Sequence, residues 1–343
     1  MIQLRMRHLA ALSLTAMLIA AGCSNNSNTA ANTGAAASAP AATVEPTAAP
    51  AAARLDIKVS FYPMYEFTSK IVGDLADVET LIPPGIEPHD WEPTAQDMAG
   101  ISAADVLVYN GAGMEGWVQQ VLDSAAGSKL VAVEASKGLN IMEGAEEEEA
   151  DHEHEHKEGG HAEEGHEHGG LDPHVWLDPA LAVKEVRTIE AALSAADPGH
   201  AAAFKANSDA YVAELEQLNQ DYKEGLKDTK RKDFITQHAA FGYLAREYGL
   251  TQVPIAGLSP EQEPSAAKMA EIVKFAKAHE VKTIFFETLV SSSVADTIAK
   301  EIGAKSAVLN PIEGLTDKDR SSNLDYIGIM RQNLEALRTA LNE

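Results

Sequence analysis

Residues 171–179 read LDPHVWLDP. Two Asp-Pro pairs, Asp172-Pro173 and Asp178-Pro179, bracket a histidine and a tryptophan. Proline fixes φ and disfavours helix in the residue before it, so each pair marks a turn or a helix start and the segment between them is stiff. The chain reads differently on its two sides. Before it, strand-like apolar runs alternate with helical ones. After it comes a long stretch of purely helical character, and only then does the alternation resume. His174 sits on rigid backbone where the pattern changes.

Working upstream, residues 54–61 alternate, with Leu55, Ile57, Val59 and Phe61 on one side, which predicts a first strand. Residues 62–72 read as a helix closed by Gly73, and 78–82 as a second strand. The proline-rich loop PPGIEPHDWEPT (83–94) has His89 near its centre, and a helical segment follows to about Ala103. ADVLVYN (104–110) is a continuous apolar strand, 114–125 a helix and KLVAV (129–133) another strand. Downstream, Asp178-Pro179 starts one helix, and Asp197-Pro198 starts a second that runs to about Asp228 without an internal proline. About thirty helical residues span ~45 Å, the length of a strut between lobes. Then KDFITQ (232–237), 251–256, VKTIFFE (281–287) and KSAVLN (305–310) read as strands, separated by helices at 239–248, 265–279 and 291–302, with a last helix at 324–341. Strands alternating with helices predict an α/β fold of two lobes, each a parallel sheet flanked by helices, joined by a long backbone helix. The expected divisions are an N-terminal lobe over 54–177, linking helices over 178–228 and a C-terminal lobe over 229–343.

Composition narrows the function. The chain has 343 residues, 45% of them apolar, and a net charge of −25, which argues against nucleic acid and anionic membrane surfaces as partners. Much of the charge is local: residues 143–170 carry twelve acids against the one base Lys157, together with His152, His154, His156, His161, His166 and His168. Such a tract cannot build a core and reads as a metal-attracting loop. Residues 1–22 have a basic start (Arg5, Arg7) and then a short apolar run ending in AAGC at Cys23, the only cysteine. This is the pattern of a lipoprotein signal, cleaved before Cys23, whose sulfur takes the lipid anchor. Residues 23–53, rich in Ala, Ser, Thr and Pro, read as a flexible tether. With the one thiol lipidated, a metal must be held by nitrogen and oxygen alone.

Three separated residues follow predicted strands, on the side where open parallel sheets bind ligands: His89, His238 and Glu313. His174 enters from between the lobes. Three neutral imidazoles and a carboxylate suit four-coordinate Zn²⁺. Each residue alone is a weak signal, and Glu287, which closes FFE, competes with Glu313 for the fourth place. Trp176 and Trp91 are expected to pack around the ligands, and Tyr243 and Phe241 behind His238. The one HExxH match, HEHEH at 152–156, lies in the acidic low-complexity tract rather than on a predicted helix, and no GxxxxGK[ST] phosphate loop occurs in the sequence, which argues against a zinc hydrolase and against an ATPase.

Four blocks in order, EPHDWEPT, DPHVWLDP, QHAAFGYLAREYGL and LNPIEGL, resemble the zinc-binding lipoproteins of metal ABC importers, the ZnuA/AdcA-like branch of the cluster 9 (A-I) solute-binding proteins. The similarity runs from about Leu55 to the end. It implies an extracytoplasmic, lipid-anchored, monomeric protein that binds zinc with high affinity and hands it to an ABC permease, with no enzyme activity of its own. The family's ligands map onto His89, His174 and His238. In many members the fourth is the glutamate of NP(L/I)E, here Glu313; others use water or an acid near the first histidine, which keeps Glu87 and Asp90 as alternatives. Manganese-binding relatives usually place a carboxylate where His238 stands, and some relatives act as surface adhesins. The histidine-rich tract resembles loops read as weak zinc collectors outside the main site.

Overall fold

The computed structural model describes residues 54–144 and 170–343. The expected signal, the expected tether with Cys23, and the six histidines of the acidic tract lie outside the described residues. Two four-stranded sheets, all parallel, form the scaffold. The first is built from β1 (Asp56–Val59), β2 (Asp77–Thr80), β3 (Val106–Tyr109) and β4 (Val131–Glu134) in the order β2-β1-β3-β4. The second repeats this pattern with β5 (Asp233–Thr236), β6 (Thr251–Pro254), β7 (Thr283–Phe286) and β8 (Lys305–Val308) in the order β6-β5-β7-β8. In each sheet the order reverses between the first and third strands, and ligands of open α/β sheets bind beyond the strand ends at that point.

The first sheet carries α1 (Tyr62–Val72), α2 (Ala95–Ala103) and α3 (Val118–Ser124). Pro63 sits in the first turn of α1, where its missing N–H costs nothing. Thr94 and Asp97 form a reciprocal capping box at α2. Asp178 caps α4 (Pro179–Ala196) by accepting from the Ala180 amide at 2.8 Å. Helix α5 (Ala201–Leu226) is 26 residues long, so it extends ~39 Å. It begins later than the Asp197-Pro198 pair suggests, because residues 197–200 make the turn from α4. Its buried residues Phe204, Ser208, Tyr211, Leu215, Leu218, Tyr222 and Leu226 recur every three or four positions and pack against α4, α1 and the final helix.

The second sheet carries α6 (Gly242–Glu247), α7 (Ala266–Ala278), α8 (Ser293–Ile302), a short α9 (Asp317–Ser321) and α10 (Tyr326–Ala340). Helix α9 escaped the sequence reading because five polar residues show no apolar period; it is held by a Thr316/Asp319 capping box. Helix α3 is shorter than expected, since Met114 and Trp117 are buried in a loop that leads into it.

One apolar core runs from Ile57, Val59, Val106 and Val108 of the first sheet, through α4 and α5, to Phe234, Phe285, Leu309 and α10. A smaller core, with Ile235, Ile272, Ile284 and Ile298, fills the side of the second sheet against α7 and α8. Gly111, just past β3, has φ of 82°, and a Cβ there would lie 2.5 Å from the Glu134 carboxylate. Gly111→Ala is therefore expected to destabilise the fold by about 1–3 kcal/mol, through backbone strain and displacement of Glu134; chemical denaturation of the metal-free protein measures it.

Candidate metal centre

The site is assembled from strand ends. His238 lies two residues past β5 and Glu287 one residue past β7. Those strands pair in parallel with Ile235 opposite Ile284, so carrying the register three residues onward sets His238 opposite Glu287. The Glu287 Oε1 accepts from both the His238 backbone amide (3.1 Å) and its ring Nδ1 (2.5 Å). Asp172 does the same for His174, its Oδ1 accepting from the backbone amide at 3.0 Å and from Nδ1 at 2.9 Å. The stiffness expected of this segment has identifiable causes. Asn110 donates to the Pro173 carbonyl (3.0 Å), Tyr243 donates its hydroxyl proton to the Asp172 carbonyl (2.8 Å), and Trp176 donates to the Pro311 carbonyl (2.7 Å).

Glu313 sits on the turn after β8. Ile312, just before it, has φ of 60°, a region costly for a β-branched residue. The Asn310 side chain holds the turn by accepting from the Ile312 amide (2.8 Å), while Asn333 of α10 pairs with both the amide and the carbonyl of Asn310. His89 is placed by its proline-rich loop, where Glu87 accepts from the His89 amide at 3.0 Å.

These supports bring His89, His174, His238 and Glu313 together, each offering one ligand atom within 4.8 Å of the others. The Nε2 atoms of His174 and His89 are 3.3 Å apart, and those of His174 and His238 3.2 Å. The Glu313 Oε1 lies 3.3 Å from His89, 3.5 Å from His174 and 3.4 Å from His238. A regular tetrahedron with bonds of about 2.0–2.1 Å has edges of about 3.3–3.4 Å. Five of the six edges here, at 3.2–3.5 Å, lie within about 0.2 Å of that figure. Because Nδ1 of His174 and of His238 faces a carboxylate, Nδ1 keeps its proton and Nε2 is the nitrogen that faces the centre, its lone pair free once the ring is neutral.

The pocket is nearly dry. His174 and His238 are fully buried, Glu313 almost so, and only the His89 ring reaches solvent at its edge. Burial and the neighbouring charges shift each of these groups. Burial pushes the His238 imidazole down, but the charges and hydrogen bonds of Glu287 and Glu313 outweigh it and lift it to about 10. His174 is likewise raised, with Asp172 and Glu313 overcoming burial. His89 is lowered, because there burial wins over Glu313. Burial would raise Glu313, but hydrogen bonds from His174, His238 and His89 hold it well below the usual carboxylate range. Burial lifts Glu87 to about 7. A tight nest of three imidazoles around one carboxylate, each ring aimed by its surroundings, is an arrangement that a single dication would relieve.

The sequence matches the family described as "Zinc-uptake complex component A periplasmic" over residues 57–340. The chain belongs to this family. It is 51% identical over 288 residues to the high-affinity zinc uptake system protein ZnuA of Bacillus subtilis, covering 84% of this chain and 88% of that protein. It is 45% identical over 293 residues to the zinc-binding lipoprotein AdcA of Streptococcus pneumoniae, covering 85% of this chain but 57% of AdcA, so it spans little more than half of that longer relative. Among solved structures, the Zn(II)-bound ZnuA-like domain of the pneumococcal AdcA superposes with a TM-score of 0.71 at 40% identity, covering 85% of this chain and all of that domain. The expected α/β architecture, with two parallel sheets flanked by helices, is the family's fold.

Of the competing carboxylates, Glu287 stands behind His238 rather than beside the common centre. Glu87 has an oxygen 3.9 Å from the His89 Nε2 and spends its hydrogen bond on the loop backbone, and Asp90 is exposed. Trp176 packs 5.2 Å from the His174 ring, as expected, and Trp91 packs on Trp117. Tyr243, expected behind His238, instead braces the Asp172 carbonyl. Asp172 had signalled only a turn in the sequence; an Asp two residues before a ligand histidine, set by the following proline, is the pattern that points to its second role. Nothing local to the sequence marks Asn333, which acts from another helix. His200 pairs with Asp197 and His279 stacks on Phe275, both away from the site.

Proposed function

We propose that this protein captures one Zn²⁺ outside the cytoplasm through His89, His174, His238 and Glu313 and delivers it to an ABC permease. The observation that carries the reading is the set of ligand edges between 3.2 and 3.5 Å in an N₃O shell. That geometry favours tetrahedral zinc over manganese, which prefers more oxygen ligands and a larger coordination number. Four protein ligands also leave no open position for an activated water, so the site binds rather than catalyses. Relatives named for zinc uptake and zinc binding support the same cargo. Competitive titration of metal-free protein with Zn²⁺ and Mn²⁺, for the native chain and for His238→Glu, tests it: the native site should prefer zinc, and the variant should lose much of that preference. Equal affinities for both metals in the native protein would refute the assignment.

In this reading residues 54–177 serve as one lobe, 178–228 as linking helices and 229–343 as a second lobe. Among the described residues no helix is long and apolar enough to cross a membrane. Independently of that, the AAGC sequence at Cys23 supports attachment through lipid on its sulfur, with 23–53 as the tether of a monomer. The histidines of the tract between residues 143 and 170 act as weak zinc collectors outside the tight site. Glu143 and Leu171 form an antiparallel bridge, and the Gly144 amide donates to the Gly170 carbonyl at 2.7 Å. The two ends of the tract therefore meet, and replacing residues 145–169 by a two-residue turn leaves this bridge to close the chain. Calorimetric titration of that variant is expected to show the weak zinc equivalents gone and one tight site unchanged. Loss of the tight site would contradict it.

A further inference from the structure

Outside the four residues that meet at the centre, Glu287 makes the shortest contact to any of them. Its carboxylate is buried, and one oxygen accepts from both the backbone and the ring of His238, at 3.1 and 2.5 Å. The pairing is built into the sheet: β5 and β7 lie side by side at the switch of strand order, and their register places residue 287 opposite residue 238. We propose that Glu287 is a positioning residue that fixes the His238 tautomer and ring orientation and thereby sets the rate at which the bound dication escapes.

An imidazole can present either nitrogen, and a ring free to rotate about χ2 spends part of its time with Nε2 turned from the centre. The Nδ1–H to Glu287 contact removes that freedom, so Nε2 is already aimed at the centre when the ion arrives and displaces its proton. A carboxylate on the far nitrogen also increases the electron density that Nε2 offers to a cation, strengthening the bond that must break on release. His174 has an equivalent partner in Asp172, but that residue is two positions away on the same stiff segment, and its removal would disturb the segment itself. Glu287 lies 49 residues from its histidine, on a different strand, so its effect is separable from local folding. It would not be a ligand itself: its contact is with the ring nitrogen that faces away from the common centre.

This inference rests on His238 being a zinc ligand, and the experiment separates the two. Native protein, His238→Ala, Glu287→Gln and Glu287→Ala are compared in zinc affinity by chelator competition, zinc off-rate by chelator trapping, and the visible spectrum of the Co²⁺-loaded form. Glu287→Gln keeps an acceptor for Nδ1–H but loses the charge, while Glu287→Ala loses both. Zinc affinity is expected to fall about 10–100-fold in Glu287→Ala, chiefly as a faster off-rate, and by less in Glu287→Gln. The Co²⁺ bands should shift in the alanine variant and stay near native in the glutamine one. Native affinity, off-rate and spectrum in Glu287→Ala would overturn the inference, and so would equal losses in both variants with an unchanged spectrum. Should the alanine variant fail to fold, a glutamine variant at least threefold faster in zinc release upholds the inference, and one at the native rate overturns it. If His238→Ala itself keeps native zinc affinity, the ligand assignment has failed instead.

Discussion

His174→Ala is expected to weaken zinc binding by two to three orders of magnitude while leaving the metal-free fold in place. Its Nε2 is the hub of the cluster, 3.2–3.5 Å from the donor atoms of His238, His89 and Glu313, and its ring is fully buried. Structural zinc sites gain about 10–16 kcal/mol from four ligands, or ~3–4 kcal/mol for each, which is about 10²–10³ in affinity. Asp172 would keep the backbone amide of residue 174 as a donor, so the segment retains one of its two local bonds. Chelator competition gives the affinity, and the melting temperature of the metal-free variant shows whether the scaffold survives. A loss below tenfold would mean that the imidazole does not bind the ion.

Zinc affinity is expected to fall at least tenfold for every unit of pH between 8 and 6. The sign follows from the metal-free pocket. His238 is raised to about 10, so below that pH it carries a proton on a nitrogen that zinc must occupy. Binding expels that proton, and each unit of acidification makes the expulsion tenfold harder. His174, also raised, adds a second displaced proton as pH falls toward its own range, whereas lowered His89 stays neutral and adds none. Affinity should therefore strengthen with rising pH throughout this window, by about 10²–10⁴ in all for one to two protons. Calorimetry in buffers of different ionisation enthalpy should find one to two protons released per zinc near pH 7. A flat affinity with no proton release would contradict the imidazole shell.

Much of this was legible in the sequence because it depends on local chemistry. VLVY and TIFF read as buried strands, their apolar side chains being hidden on both faces of a parallel sheet. Asp178-Pro179 reads as a helix start because the proline fixes φ and the aspartate caps. The three histidines and Glu313 stand out as polar residues just past strands or between Asp-Pro pairs. What stayed hidden depends on register. Whether Glu287 binds the ion or its ligand turns on Ile235 pairing with Ile284, a contact 49 residues apart that neither strand announces. The brace from Tyr243 to Asp172 spans 71 residues, and the hold of Asn333 on the turn before Glu313 spans 23. The delayed start of α5 reflects a turn at 197–200 that propensity alone does not separate from a first helical turn.

A crystal of the zinc-loaded protein, measured at the zinc absorption edge, would show whether side chains spread over more than two hundred positions close on one ion. A single strong anomalous peak is expected amid the Nε2 atoms of His89, His174 and His238 and one Glu313 oxygen, each at about 2.0–2.2 Å. A peak displaced from that point, or an ion whose shell lacks any of the three imidazoles, would contradict it.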